Sequence, residues 1–269
     1  MSDNGIDGSG TLRASCLLAP NPSPMTLDGT NTWLLHEPES RAAVIVDPGP
    51  DDPGHARRVA AAVADRGLTV EQILLTHHHD DHFGGAAELS KLVGAPVRAF
   101  DPAFRINGEG LADGDVVTVG GLEVRVFSTP GHTDDSLTFF VPADGALLTG
   151  DTVLGRGTTV LHRLSDYLNS LDRLRALVAD GAATIILPAH GPIIADPATA
   201  LDFYIAHRRE RIAEVTAAIE AGDRTVDEIV ARVYADVDRN VWFAAAGSVR
   251  AQLEYLSERG ELPSDMRLD

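Results

Sequence analysis

The stretch LTHHHDDHFGG, Leu75 to Gly85, places four histidines and two aspartates in the six consecutive positions from His77 to His82, directly behind an apolar run. Imidazole and carboxylate hold zinc, iron or manganese at neutral pH, and both also move protons. Spacing sorts the six. His77 and His79 are two apart, so at the end of an extended strand they point the same way, whereas Asp81 and His82 follow the turn and face a second point. Three further donors stand at the ends of predicted strands: His132 in TPGHTDDS, Asp151 in LTGDT and His190 in LPAHGP, each beside a glycine that permits close backbone approach. A solvated polar loop would account for the hexamer alone, but the three outlying donors argue for a metal centre.

Such donors need a scaffold that gathers strand ends. Thr32 to Leu35 and Ala42 to Val46 read as strands, the second ending at Asp47-Pro48-Gly49 where a chain leaving a sheet turns. Pro53 opens a helix that runs through Asp65 to Gly67; Ile73 to Leu75 is a buried strand, Ala86 to Val93 a helix and Pro96 to Phe100 a strand. Two hairpins follow, Val116 to Val119 with Leu122 to Phe127 around Gly120-Gly121, and Leu137 to Val141 with Ala146 to Thr149. Asp166 to Ala179 has helical spacing, and Thr184 to Leu187 returns as a strand. Two mixed sheets with helices outside account for this α/β order. From Pro197 the pattern is helical only: a long helix to about Ala221, a second opened by the capping box of Thr225 and Glu228, and a third from Ser248 to Glu258 that stops at Gly260. Three helices and a stub resemble a winged helix, so residues 1–196 and 197–269 read as two domains.

The chain has 269 residues with 22 Lys+Arg against 40 Asp+Glu, a formal charge of -18. That balance argues against a broad phosphate-binding surface, because each phosphate contact needs a cation. Cys16 is the single cysteine, which excludes internal disulfides and Cys-rich zinc fingers and fits a reducing cytoplasm. No apolar run is long enough to span a membrane, so no membrane partner is expected.

The pattern His77-x-His79-x-Asp81-His82, followed by His132, Asp151 and His190, resembles the metallo-β-lactamase fold over about Thr30 to Ile194. The resemblance implies an αββα sandwich with two metals at one edge: His77, His79 and His132 on the first, Asp81, His82 and His190 on the second, and Asp151 bridging. It implies two Zn2+ per chain, with Fe or Mn suited to the same donors, and a hydrolase whose nucleophile is a hydroxide between the ions, oriented by Asp81 as the catalytic carboxylate. His78 and Asp80 match variable positions of that motif and take no ligand role.

The branch of the family narrows by what is missing. Zinc β-lactamases are expected to use a Cys ligand and no bridging Asp, and the 39 positions from Asp151 to His190 leave no room for the inserted domain of the processing nucleases. No flavodoxin partner domain is present either. The glyoxalase II-like thioesterases and the β-lactamase-like protein two group remain, the latter known for a single-strand endoribonuclease with a C-terminal winged helix. GDTVLGRGTTV, Gly150 to Val160, and YIAHRRERI, Tyr204 to Ile212, are similar to that second group.

Arg156, Thr158, Thr159, Tyr167, His207, Arg208 and Arg209 are the substrate-side candidates, since Arg can grip phosphate or carboxylate bidentately and Thr can add hydrogen bonds. An ordinary charged helix face accounts for His207, Arg208 and Arg209 equally well. RNA recognition wants stacking aromatics and basic grooves, and 5% aromatic content with a net acidic charge offers neither. On Ser248 to Arg259, Arg250 and Arg259 are balanced by Glu254 and Glu258, unlike a nucleic-acid recognition helix. The expectation is therefore a dinuclear hydrolase of a small anionic ester or thioester, with single-stranded RNA cleavage second. A metal-dependent nucleic-acid-binding regulator comes third.

Overall fold

The computed structural model describes residues 6–236 and 238–266. The first sheet has six strands in chain order, β1 (Ala14–Leu18), β2 (Asn31–His36), β3 (Ala42–Val46), β4 (Thr69–Leu74), β5 (Val97–Ala99) and β6 (Asn107–Gly110). β1, β2 and β3 pair antiparallel, and β3 to β6 pair parallel. Parallel neighbours need crossovers, which α1 (Pro53–Asp65) supplies between β3 and β4, and α2 (Asp80–Phe83) with α3 (Ala86–Val93) between β4 and β5. The second sheet holds β7 (Val116–Val119), β8 (Leu122–Ser128), β9 (Leu137–Val141), β10 (Ala146–Leu148) and β11 (Ile185–Leu187) in the order β11-β10-β9-β8-β7. Its one parallel pair, β10 with β11, is bridged by α4 (Leu164–Ala179).

Strand alternation explains why the two sheets stack. Trp33, Leu35, Val44, Val46 and Leu74 point inward and meet Val124, Val126, Leu137, Phe139 and Leu148 of the second sheet. The alternate positions Leu34, Ala43, Ile45 and Ile73 point outward, under Val59, Val63 and Leu89 of α1 and α3. On the far side Phe140, Leu147 and Ile186 are covered by Leu164, Leu171 and Leu174 of α4. The result is the expected helix-sheet-sheet-helix layering.

Three helices close the described chain: α5 (Pro197–Glu220), α6 (Val226–Val233) and α7 (Trp242–Glu258). Thr225 and Glu228 form the anticipated capping box on α6. Leu201, Tyr204 and Ile205 of α5 join the core around α4, while Val215, Ala218 and Ile219 join Ile229, Val249 and Leu253 in a separate C-terminal core. One helix therefore serves both cores. α7 begins at Trp242, six residues before Ser248, with Gly247 inside it. Gly247 followed by Ser248 reads as a helix start in sequence, yet a Cβ at Gly247 would meet only Val160 Cγ1, so the helix runs through unstrained. β1 and β6 are two further strands that sequence patterning does not signal.

Candidate metal centre

All seven anticipated donors lie beyond the carboxyl ends of strands. His77 and His79 leave β4, Asp81 and His82 sit on α2, and His132, Asp151 and His190 follow β8, β10 and β11. The two sheets are tied together at this edge, because Asn31 of β2 donates through Nδ2 to the carbonyls of Pro188 (2.9 Å) and Gly191 (3.0 Å) on either side of His190. Gly84 lets the α2 turn lie against the Pro50-Asp51 backbone, where any Cβ would collide with the Asp51 nitrogen and the Asp80 carbonyl. Gly150, with φ of +51°, likewise lets the backbone just before Asp151 pass close to Thr76.

Ligand-type atoms within 4.8 Å of one another form three overlapping triads: His77, His79, His132; His77, His82, Asp151; and Asp81, His82, His190. His79 Nδ1 lies 3.1 Å from His77 Nε2 and 3.0 Å from His132 Nε2. Asp151 faces both groups, with Oδ2 3.5 Å from His132 Nε2 and Oδ1 3.5 and 3.3 Å from Nε2 of His82 and His190. Asp81 Oδ2 stands 3.2 Å from His190 Nε2 and 3.6 Å from His82 Nε2. Nε2 of His82, Nε2 of His190 and Oδ1 of Asp151 are buried without a hydrogen-bond partner. Orphaned donors and acceptors crowded in this way are costly unless something satisfies them, and a divalent cation does so. The residues fit a metal.

The other ring nitrogens are held from behind. Asp47, with φ of +53° at the end of β3, accepts from His82 Nδ1 (2.8 Å), from the Thr76 backbone NH (2.8 Å) and from Thr76 Oγ1 (2.7 Å). His190 Nδ1 faces the Gly29 carbonyl at 3.1 Å, and His132 Nδ1 faces the Val160 carbonyl at 2.8 Å and Thr159 Oγ1 at 3.0 Å. These contacts fix the ring planes and leave Nε2 of each of the three histidines aimed inward.

Electrostatics divide the cluster. Burial, reinforced by His82 and His132, pushes His77 well below the ordinary histidine range, and burial with His132 brings His79 to about 4. Burial lowers His132 as well. These three are neutral imidazoles with lone pairs to give. Burial opposes protonation of His82 and His190 too, but the Asp151 carboxylate outweighs it, lifting His82 well up with help from Asp47 and His190 to about 9. Burial would raise the Asp151 carboxyl, yet His190 and His82 hold it far below the usual range. Asp81 is also lowered, burial being outweighed by contact with His190 and the charge of His82.

The substrate-side residues separate by depth. Arg156 and Thr158 line a cavity beside His132 and Asp151, but the Arg156 guanidinium is paired with Asp28 at 2.5 Å. Tyr167 and Arg208 do not face substrate, contrary to the expectation: both are buried behind the site, Tyr167 donating to the Thr152 carbonyl (2.7 Å) and Arg208 Nη2 to the Thr159 carbonyl (2.6 Å). Thr159 is buried between Arg208 and His132, so its hydroxyl serves the imidazole. His207 stacks on Phe203 along α5, and Arg209 faces a separate surface with Ser165 and Tyr255, so neither reaches the centre. His78 pairs with Asp135 at 2.7 Å and stacks on Phe104, while Asp80 is exposed. Asn31 and Arg208 as supports are not visible in the sequence; the Asp47-Pro48-Gly49 turn is the one signal that marks Asp47.

Comparison with known proteins finds similar chains. The family model described as the metallo-beta-lactamase superfamily matches residues 25–190, and that of the beta-lactamase associated winged helix domain matches residues 225–266. The beta-lactamase-like protein 2 homolog of Caenorhabditis elegans is 33% identical, covering 91% of this chain and 84% of its own. The homolog of the same name in Drosophila melanogaster is 32% identical over 91% and 88%. Among solved structures, a metallo-beta-lactamase family protein from Thermus thermophilus superposes with a TM-score of 0.77 at 26% identity, covering 92% of this chain and 94% of its own.

Proposed function

This chain belongs to the metallo-beta-lactamase superfamily of hydrolase-type enzymes, and from that premise we propose that it is a dinuclear-metal hydrolase acting on a small ester or thioester. The observation that carries the reading is the pair of joined donor groups around Asp151, with three buried polar atoms left unpartnered between them. His77, His79 and His132 would hold one cation, Asp81, His82 and His190 the other, and Asp151 would face both. Zinc is the first choice, and iron and manganese suit the same donors. Two such cations supply an acidified water near neutral pH and a polarised carbonyl. Asp81, whose side chain keeps 28% of its surface exposed, is the carboxylate able to orient an incoming water and accept its proton.

For an anionic substrate the cavity walls supply no unpaired guanidinium among the described residues. The one guanidinium lining the two cavities at the centre, Arg156, is neutralised by Asp28, while Asp101, Asp134 and Asp135 line the larger cavity. A neutral leaving group suits that wall better than a phosphate chain does. A buried free Cys16 agrees with a reducing, cytoplasmic setting.

Metal analysis with parallel assays on alkyl thioesters and labelled single-stranded RNA tests the reading. We expect two metals per chain at saturation, thioester turnover, and a loss of about 10² to 10⁴-fold in kcat for Asp81→Asn, the range of a positioned acid-base group. One metal per chain would overturn the dinuclear arrangement, and RNA cleavage without thioester turnover would overturn the substrate.

A further inference from the structure

Two cavities open on the donor cluster and share His132. The larger, about 360 Å³, has Asp101, Asp134, Asp135, His78 and His162 in its wall. The smaller, about 240 Å³, has Met25, Leu27, Leu154, Val160 and Ala244 beside His132 and Asp151, with Arg156, Thr158 and Thr159 as its other polar lining. Its walls come from three distant parts of the chain: the loop before β2, the loop after β10, and the first turn of α7.

We propose that this smaller cavity is an acyl pocket, whose occupant is the apolar acyl chain of the ester or thioester. The inference rests on the hydrolase reading above and adds the substrate's shape. A carbonyl carbon beside Asp151 and His132 has two ways to extend its substituents, and the linings sort them. The acyl chain, which has nothing to hydrogen-bond, lies against Met25, Leu27, Leu154, Val160 and Ala244. The leaving group, with its heteroatoms, lies toward the carboxylates and imidazoles of the larger cavity. Arg156 at the rim is occupied by Asp28 and brings no free charge to the chain. The reaction served is plain hydrolysis: a water oxygen bonds to the acyl carbon, the C–O or C–S bond breaks, and a proton leaves with the alcohol or thiol.

Size sets a limit. At roughly the 30 Å³ that a water molecule takes in the liquid, 240 Å³ holds about eight carbon units. Each methylene buried there tightens binding by about fourfold. Ala244 stands at one wall, so the C-terminal helices determine how long a chain fits.

The test uses the whole 269-residue chain, metal-loaded, with two readouts. One is calorimetric binding of straight-chain carboxylates from acetate to decanoate; the other is kcat/KM for the matching thioesters. Affinity is expected to rise by about fourfold per methylene up to about octanoate and then level off. Ala244→Phe narrows the pocket from α7, and Met25→Trp narrows it from the loop before β2. Each is expected to flatten the rise beyond butyrate while leaving acetate binding within about threefold. Chain-length dependence that is absent in the wild type, or unchanged in both variants, overturns the pocket. Carboxylates that bind as described with no thioester turned over would sink the hydrolase reading and leave the pocket standing. Turnover without length dependence does the reverse.

Discussion

Asp47 touches none of the space between the donor groups, yet three hydrogen bonds from Thr76 and His82 converge on it. Its carboxylate fixes which nitrogen of His82 faces inward and raises the basicity of that ring. Asp47→Asn keeps a side chain tolerated at φ of +53° and removes the charge, so metal affinity is expected to fall by about 10 to 100-fold with the fold retained. Competition with a chromophoric chelator measures this, and an unchanged affinity would refute the role. The seven donors are legible in sequence because His and Asp stand beside glycines at strand ends, a local pattern. Asp47 lies 35 residues from His82 and Arg208 lies 49 from Thr159, so their roles exist only once the chain has folded. Arg208 shows the cost of reading residue type alone. An arginine on a helix resembles a substrate grip, but this one is buried and tethers the loop behind His132.

At the scale of elements, the donors depend on how closely α2 approaches the turn after β3. Gly49 accepts from the Gly85 NH and donates to the His82 carbonyl, so the two segments are stitched on both sides of Gly84. A methyl at Gly84 has nowhere to go. Gly84→Ala is expected to cost about 1–3 kcal/mol in urea unfolding and to loosen Asp81 and His82 together. A variant with wild-type stability and metal content would show that the close approach is dispensable. The hairpins around Gly120-Gly121 and Pro142 to Gly145 are readable because turn residues sit between alternating runs. β6, with sequence NGEG, carries no apolar pattern and exists because the edge of β5 offers it hydrogen bonds. Propensity does not encode such a strand.

For the whole molecule, stability follows the protonation of groups buried neutral. His55, packed between Thr32 and Arg58, is brought to about 4 by burial and by the Arg58 charge. The unfolded chain binds a proton at this position near pH 6.5 while the folded chain stays neutral, so the stabilisation is full above about 6.5 and is lost as pH falls toward 4. At about 1.4 kcal/mol per unit, that is about 3 kcal/mol across the window. Urea unfolding of wild type and His55→Gln between those limits, both with chelator, should show a shallower acid decline in the variant. Parallel curves would remove His55 from the account. α5 has a different consequence at this scale. An unbroken 24-residue helix spans about 36 Å, and Ile212 along it touches both the core beside α4 and the C-terminal core. Ala244 is on α7, whose Val249 and Leu253 pack against α5 in the C-terminal core and whose Ala251 joins the core beside α4, so the pocket is a gauge, not a lid. If relatives exchanged their C-terminal portions, the seam would lie within α5 near Ile212. A splice there would change the depth of the gauge and leave every metal donor where it is.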